Sequence, residues 1–510
     1  MSKTMPRSAK PEWRAGRWPW AGAVAVVADD LTGAMDGGVQ LLPRTAVEVL
    51  VGAGGAVPPA AMAGRGPALA GGVQTALAGG GPAPDAPARI GHAENASVLP
   101  VINTQSRGVP PDEASARVRA ACRDLSAAGR TVWFKKIDST MRGSVGAELA
   151  ALHEALAPCV IVCTPALPEQ GRTVQEGVLL VAGEPAMATP YRDEIRTAHG
   201  APASSAVIDI VRRQWPGCRA AHLPARPCRR QVAAAAHGPV DLVVADAAGD
   251  RDLTALAESA RGLARGGRRL VWAGSAGLLH ALARAGAPRL DAAPRTDGDG
   301  PFGNPERTRP APMVLICGSR RSLARTQVDF AAAAARPLMV RPSAPSAAAA
   351  CARRWHASGG APGGAAGPLR AADAVTLSAE ALAGGRDLFL CAPAPAEPAA
   401  RPPAPVAETV AADLADLAAR ALTAAAVRPR ALLLVGGDTA YACLRRLHIR
   451  RIMLCGEAEP YVPWGRVLGG PWSGLLVVTK AGGFGDRHTL RRICGTPWAQ
   501  AGQVGPDAAP

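Results

Sequence analysis

Lysine is almost missing from this 510-residue chain, with five residues against 52 arginines. The formal charge of +16 comes with 57 glycines, 47 prolines and a great deal of alanine. It therefore reads as a compositional bias toward Arg, Ala, Gly and Pro rather than as a surface selected for nucleic acid. Aromatic residues make up 4%, too few for base-stacking platforms, and the arginines are scattered instead of striped. A salt-sensitive attraction to phosphate backbones would report charge alone; an anionic small molecule fits that charge equally well. The eleven cysteines include no C-x-x-C pair, Cys159 and Cys163 being the nearest two. Metal-knuckle spacing is absent, no metal-ligand set is legible, and reduced thiols in a cytoplasmic setting are expected. No apolar run reaches the length of about 20 residues that a bilayer demands, so no membrane partner is expected. G-x-x-x-x-G-K-[ST] and the protein-kinase signature set are both missing, which excludes those two nucleotide sites.

What is present is enough apolar residue, 48%, to fill the cores of two or three domains. Residues 1–20 form a basic tail carrying Lys3, Arg7, Lys10, Arg14 and Arg17. With the apolar stretch 21–28 behind it, this tail imitates a secretory leader. That stretch runs straight into a polar, glycine-containing turn, so a buried first strand is the better reading. Strands are predicted at 24–28, 98–102, 131–136, 159–163, 241–245 and 269–273, mostly followed by a turn and a helix. Residues 51–90, rich in Ala, Gly and Pro without a period, read as a flexible insertion. The first domain spans 21–284, a linker 285–311, a second domain 312–497 and a tail 498–510. In the second domain strands are expected at 313–317, 431–435 and 475–479 and helices from 322 and over 407–426, with loose sequence at 343–407 between them. The alternation predicts an α/β fold of two domains with mostly parallel sheets.

Polar clusters recur at the C-terminal ends of these strands, where open α/β sheets place their ligands. The first, Asp29-Asp30-Leu31-Thr32-Gly33-Ala34-Met35-Asp36, holds three carboxylates. They suit metal binding, acceptance of hydroxyl hydrogen bonds or proton abstraction, and an Asp helix cap is the plainer alternative. The second, Asn103-Thr104-Gln105-Ser106-Arg107, offers a guanidinium to a carboxylate. The third, Lys135-Lys136-Ile137-Asp138-Ser139-Thr140-Met141-Arg142-Gly143, contains two of the five lysines, which composition does not explain. Its mixture of cations, hydroxyls and an acid suits a polyhydroxy acid. The fourth, 164–173, is a stiff loop closing on Arg172. Glycine turns follow further strands at Ser275, Gly318, Gly436-Gly437-Asp438-Thr439 and Gly482-Gly483, where backbone N–H groups can approach phosphate.

In this order the blocks resemble the four-carbon acid sugar kinase family. The likeness is carried by ADD-x-TGA-x-D at 28–36, NT-x-SR at 103–107, KKIDST-x-RG at 135–143 and P-A-x-P-x-x-GRT at 165–173. It continues through GSAG at 274–277, GGDT at 436–439, VPWG at 462–465 and TKAGGFG at 479–485. Within the family, the pattern is most like the D-threonate and D-erythronate kinases. The resemblance implies transfer of a phosphoryl group from ATP, with Mg²⁺, to the terminal hydroxyl of a four-carbon sugar acid held in the cleft between the domains. It implies Asp29, Arg107, Lys136, Ser139, Arg142 and Arg172 as substrate contacts and Asp30 and Asp138 as candidates for the base, unranked. It implies Ser275, Gly436, Gly437, Asp438, Thr439, Gly482 and Gly483 as nucleotide contacts. A homodimer is compatible with it, and a non-catalytic sugar-acid-binding protein of the same fold is the alternative. The chain departs from the family pattern at Gln105, in the long 51–90 stretch and over 343–407.

Overall fold

The fold is that of a computed structural model describing residues 24–42, 45–52, 98–193, 195, 204–260, 269–285, 311–319, 321–342, 354–358, 368–393 and 404–495. The expectations for 1–20, for nearly all of the 51–90 insertion and for the 498–510 tail lie outside these residues. So does most of the 285–311 linker.

The first half opens with β1 (Val24–Ala28), α1 (Leu31–Val39), β2 (Val47–Leu50), β3 (Leu99–Asn103), α2 (Pro111–Ala127), β4 (Thr131–Lys136), α3 (Val145–Leu156) and β5 (Cys159–Thr164). A small antiparallel sheet of β6 (Arg172–Gln175), β7 (Val178–Val181) and β8 (Glu184–Pro185) follows. Then come α4 (Val207–Gln214), β9 (Ala220–Leu223), α5 (Arg229–His237), β10 (Leu242–Ala245), α6 (Asp250–Ser259), β11 (Arg269–Gly274) and α7 (Ala276–Ala285). The second half begins with β12 (Met313–Cys317), α8 (Ser322–Ala335), β13 (Leu338–Pro342), β14 (Trp355–Ser358), α9 (Ala371–Ala383) and β15 (Leu388–Cys391). It ends with α10 (Ala404–Ala425), β16 (Ala431–Val435), α11 (Gly437–Arg446), β17 (Arg451–Glu459), β18 (Val462–Val467), β19 (Leu476–Lys480) and α12 (Thr489–Gly495).

The strands predicted from apolar runs are present within a residue or two. The region 343–407 differs from its expectation. Its described part supplies β14, α9, β15 and the start of α10, and β15 is buried at every position between β12 and β13. A four-residue strand, Leu-Phe-Leu-Cys, is too short to lift the average hydropathy of the Pro- and Ala-rich sequence around it. The two halves also share one sheet. Sixteen strands run in the order β14-β13-β15-β12-β16-β19-β18-β17-β2-β3-β1-β4-β11-β5-β10-β9. Most neighbours are parallel and covered by helices on both faces, which is why strands such as β1 and β16 are apolar and buried throughout.

The halves join through the antiparallel pairs β2–β17, β17–β18 and β18–β19. These three reversals alone would send the strand ends of the two halves in opposite directions. Six inter-strand steps separate β1 from β16, and a right-handed twist of roughly 20–25° per step turns the strands by roughly 120–150°. The twist nearly undoes the reversal. The sheet thus curls around α1, which packs on β1, β2, β3, β17 and β18 and against α11. α1 is buried at all nine positions.

Beneath the first half's strand ends, Lys135 Nζ lies 2.5 Å from Glu148 Oε2, and neither side chain is more than 1% exposed. Burial pushes the Glu148 carboxyl upward while Lys135 opposes it. Removing one partner strands the other charge in the core, which costs about 3–5 kcal/mol. We expect Lys135→Met to lose that much in urea denaturation at pH 7. Lys135→Met with Glu148→Leu should recover most of the loss.

Candidate active site

Three successive strand ends of the first half close on one another. After β1, Asp30 caps α1, its Oδ1 accepting from the Gly33 N–H at 2.6 Å. The chain after β3 follows the end of β1, the N–H groups of Ser106 and Arg107 both donating to the Asp29 carbonyl at 2.8 and 3.1 Å. That places the Arg107 guanidinium over both aspartates. Nε and Nη2 donate to the two oxygens of Asp29 at 2.8 and 2.9 Å, and Nη1 donates to Asp30 Oδ2 at 2.6 Å. After β4, Asp138 lies 3.7 Å from Arg107 Nη1 and is gripped in two-pronged fashion by Arg142 at 2.8 and 2.7 Å. Thr140 donates to the same carboxylate. Lys136 Nζ stands 3.3 Å from Asp36 Oδ1, facing the Asp30–Gly33 turn. Ser139 is half-buried on the turn after β4.

The charges sort these acids. Burial alone would raise Asp138, yet Arg142 and then Arg107 hold it well below the usual carboxylate range. Asp29 is likewise buried and lowered, chiefly by Arg107. Asp36 is pushed up to about 7 by burial, which Lys136 only partly opposes. Arg107 and Arg142 are expected from the sequence to help hold the substrate. In the structure both already sit on aspartates, so the site offers alternating acceptors and cationic donors. That pattern matches a chain of hydroxyls, which donate and accept at once.

The second half brings glycine turns to the same place. The helix α11 starts at Gly437, and a Cβ built there would lie 2.5 Å from Asp30 Oδ2 and 3.3 Å from Thr32 Oγ1. Its positive end thus lies against the acid that caps α1. Gln105 Nε2 donates to Asp438 Oδ1 at 3.4 Å, a second bridge between the halves. Gly436, at φ +105°, lies against the Ser319 backbone, and Gly318 against the Thr439 side chain. A Cβ on Gly482 would collide with Ser319, whose Cβ would be 2.8 Å away. The turns after β12, β16 and β19 therefore form one glycine-lined floor.

Ser275, just after β11, spends its hydroxyl on the Ala166 carbonyl and the Gly277 N–H. Its neighbour Ala276 forms a buried cluster with Leu167 and Tyr461, against which Phe484 packs. Arg172 stands apart from the acid cluster. Its Nη2 donates to Tyr191 Oη at 2.9 Å, and its guanidinium and that of Arg321 lie 5.7 and 4.8 Å from the centre of that ring. A Cβ on Gly483 would come within 3.9 Å of Tyr191 Oη, so Arg172 belongs with the glycine floor. Sequence reasoning named Thr32 and Ser319 only as members of their turns, without a role, and passed over Arg321 and Tyr191. Ser319 had a signal in the Gly-Ser turn after an apolar strand; Tyr191 had none.

Two outcomes follow. Arg107→Met leaves Asp29 and Asp30 without their shared cation and should cost about 3–5 kcal/mol at neutral pH. In the wild type the depressed Asp29 and Asp138 contribute stability that is full above the ordinary carboxylate range and is lost as pH falls through their lowered values. In Arg107→Met both acids rise, so the acid limb of a stability–pH curve should move to higher pH. Gly437→Ala forces a methyl group onto Asp30 and should lower turnover at least tenfold while changing the melting temperature little. Thermal melts and steady-state rates check both variants.

Comparison with known proteins matches each half of the chain to a described family. A family described as a sugar-binding N-terminal domain matches residues 24–282, and one described as a nucleotide-binding C-terminal domain matches 314–490. The D-threonate kinase of Bordetella bronchiseptica is 33% identical over 480 residues, covering 92% of this chain and 96% of its own. The 3-oxo-tetronate kinase of Methylobacterium radiotolerans is 30% identical over 426 residues, covering 79% and 91%. A solved structure from Salmonella typhimurium LT2 has the same fold, with a TM-score of 0.61 at 22% identity, covering 92% of this chain and 98% of its own. Both domains match in chain order and a relative aligns almost end to end, so this chain belongs to the four-carbon acid sugar kinase family.

Proposed function

We propose that this chain transfers the γ-phosphoryl group of ATP to the terminal hydroxyl of a four-carbon sugar acid of the D-threonate or D-erythronate type. The observation that carries this reading is the approach of the α11 N-terminus to Asp30 Oδ2. It sets an acid that can orient a hydroxyl against a helix start that can hold phosphate. The acid–guanidinium cluster holds the sugar acid's hydroxyls, and the glycine floor holds the polyphosphate.

Asp30 is the candidate placed against the start of α11, and we assign it the base. Asp138 is held well below the carboxylate range by Arg142 and Arg107, which makes it a weak proton acceptor and a strong anchor for both guanidiniums. Asp30 orients the hydroxyl and takes its proton as the new O–P bond forms and the bond to the ADP oxygen breaks. The proton then leaves to solvent. Arg107, 2.6 Å from Asp30 Oδ2, steadies the carboxylate in both states. The exposed carboxylate of Asp438, at the start of α11, fits a Mg²⁺ ion carried mainly by phosphate and water, with the buried Thr439 hydroxyl behind it. Among the described residues no cluster of three ligating side chains competes for it. Bound there, the ion would supply neutralising charge to the phosphates.

A coupled ADP-release assay over D-threonate, D- and L-erythronate, L-threonate and the 3-oxo acids tests the proposal, with turnover expected on at least one. Asp30→Asn should lower kcat at least a hundredfold with little change in sugar-acid KM. Asp138→Asn should mainly raise that KM, because it loosens Arg107 and Arg142. Sugar-acid binding without ADP release from folded protein and Mg²⁺ would mark a binding protein instead.

A further inference from the structure

The loop after β19 is shaped from below by two buried residues that the proposed chemistry does not use. Lys480, the last residue of β19, is completely buried, and its Nζ donates to the Ala481 carbonyl at 2.9 Å. Among the described residues no carboxylate lies within ion-pair distance of it. Burial pulls this ammonium down to about 8, the Cys317 thiol opposing slightly. Gln327, on α8, is also completely buried. Its Nε2 donates to the carbonyls of Phe484 at 3.0 Å and Asp486 at 2.6 Å. The Phe484 N–H closes a turn back to the Ala481 carbonyl at 3.2 Å.

Three carbonyls of a six-residue stretch are thus tied inward. The N–H groups of Gly482, Gly483 and Gly485 meet no acceptor among the described residues. A peptide whose carbonyls are pinned beneath it presents its N–H edges to the other side, which is the geometry of an anion nest. Keeping an uncompensated ammonium in a core is expensive; it is repaid when an anion binds close by. Methionine or leucine would fill the same space at no electrostatic cost.

We propose that Lys480 and Gln327 are positioning residues for polyphosphate: they turn the 481–486 loop amide-side out, and Lys480 supplies buried counter-charge beneath it. This rests on the nucleotide-binding reading of the second half, but concerns the phosphate chain alone.

Calorimetry with adenylyl imidodiphosphate, inorganic tripolyphosphate and adenosine separates the two ideas. Lys480→Met should weaken both phosphate-bearing probes at least tenfold, leave adenosine within twofold and raise the melting temperature of the unliganded protein. Gln327→Glu keeps the shape but cannot donate to the two carbonyls. It should weaken the same two probes at least tenfold, so the proposal stays testable should Lys480→Met not fold. Wild-type affinity for tripolyphosphate in either folded variant overturns the proposal and leaves the nucleotide reading standing. Tripolyphosphate binding by the wild type without binding of adenosine or adenylyl imidodiphosphate overturns the nucleotide reading, and its loss in the variants still supports this proposal. No tripolyphosphate binding by the wild type overturns the proposal outright.

Discussion

One guanidinium orders the first half of the site. Arg107 reaches Asp29, Asp30 and Asp138, which come from the ends of two different strands, while its own backbone is tied to the end of β1. Three buried carboxylates at such distances would repel one another and lose their hydration. A planar cation with several fixed donors is the one side chain able to serve them together. The loops after β1, β3 and β4 are consequently held in a single arrangement. A lysine there would offer a point charge without directions and leave oxygen atoms unsatisfied.

The second constraint is the curl of the sheet. Three antiparallel pairings at β17, β18 and their neighbours reverse the strand direction, and accumulated twist turns it back. The result surrounds α1 and sets its capping acid against the start of α11. The polar turns of the two halves meet because both sit at strand ends of one continuous sheet. The small cluster of Leu167, Ala276 and Tyr461, with Phe484 packed on it, continues that contact on the flank.

The distribution of basic residues separates bias from use. Arginine is everywhere, and many arginines make exposed pairs such as Arg446 with Asp416, of the kind that contributes little to stability. Lysine is scarce, and three of the five lie buried at the candidate site. Lys135 supports it from beneath, Lys136 faces the acid turn and Lys480 underlies the glycine loop. In a composition that pushes cations toward arginine, three buried lysines at the candidate site stand out.

The sequence by itself determined the elements and their polar ends. Apolar runs of four to six residues followed by Asp-, Arg- or Gly-bearing turns are local patterns, and local burial enforces them. It determined the candidate residues too, since Asp29, Asp30, Arg107, Asp138 and Arg142 all stand in such turns. Only the tertiary structure decided which of them act together. Arg172 pairs with Tyr191 rather than with the acids, Ser275 spends its hydroxyl on backbone, and Asp138 becomes an anchor because two guanidiniums reach it. Those outcomes depend on which strands become neighbours and how far the sheet turns between them. Those are long-range contacts, set by the packing of the whole chain, and no short window of residues carries them. The same holds for β15, whose four apolar residues count as a strand only once β12 and β13 flank it.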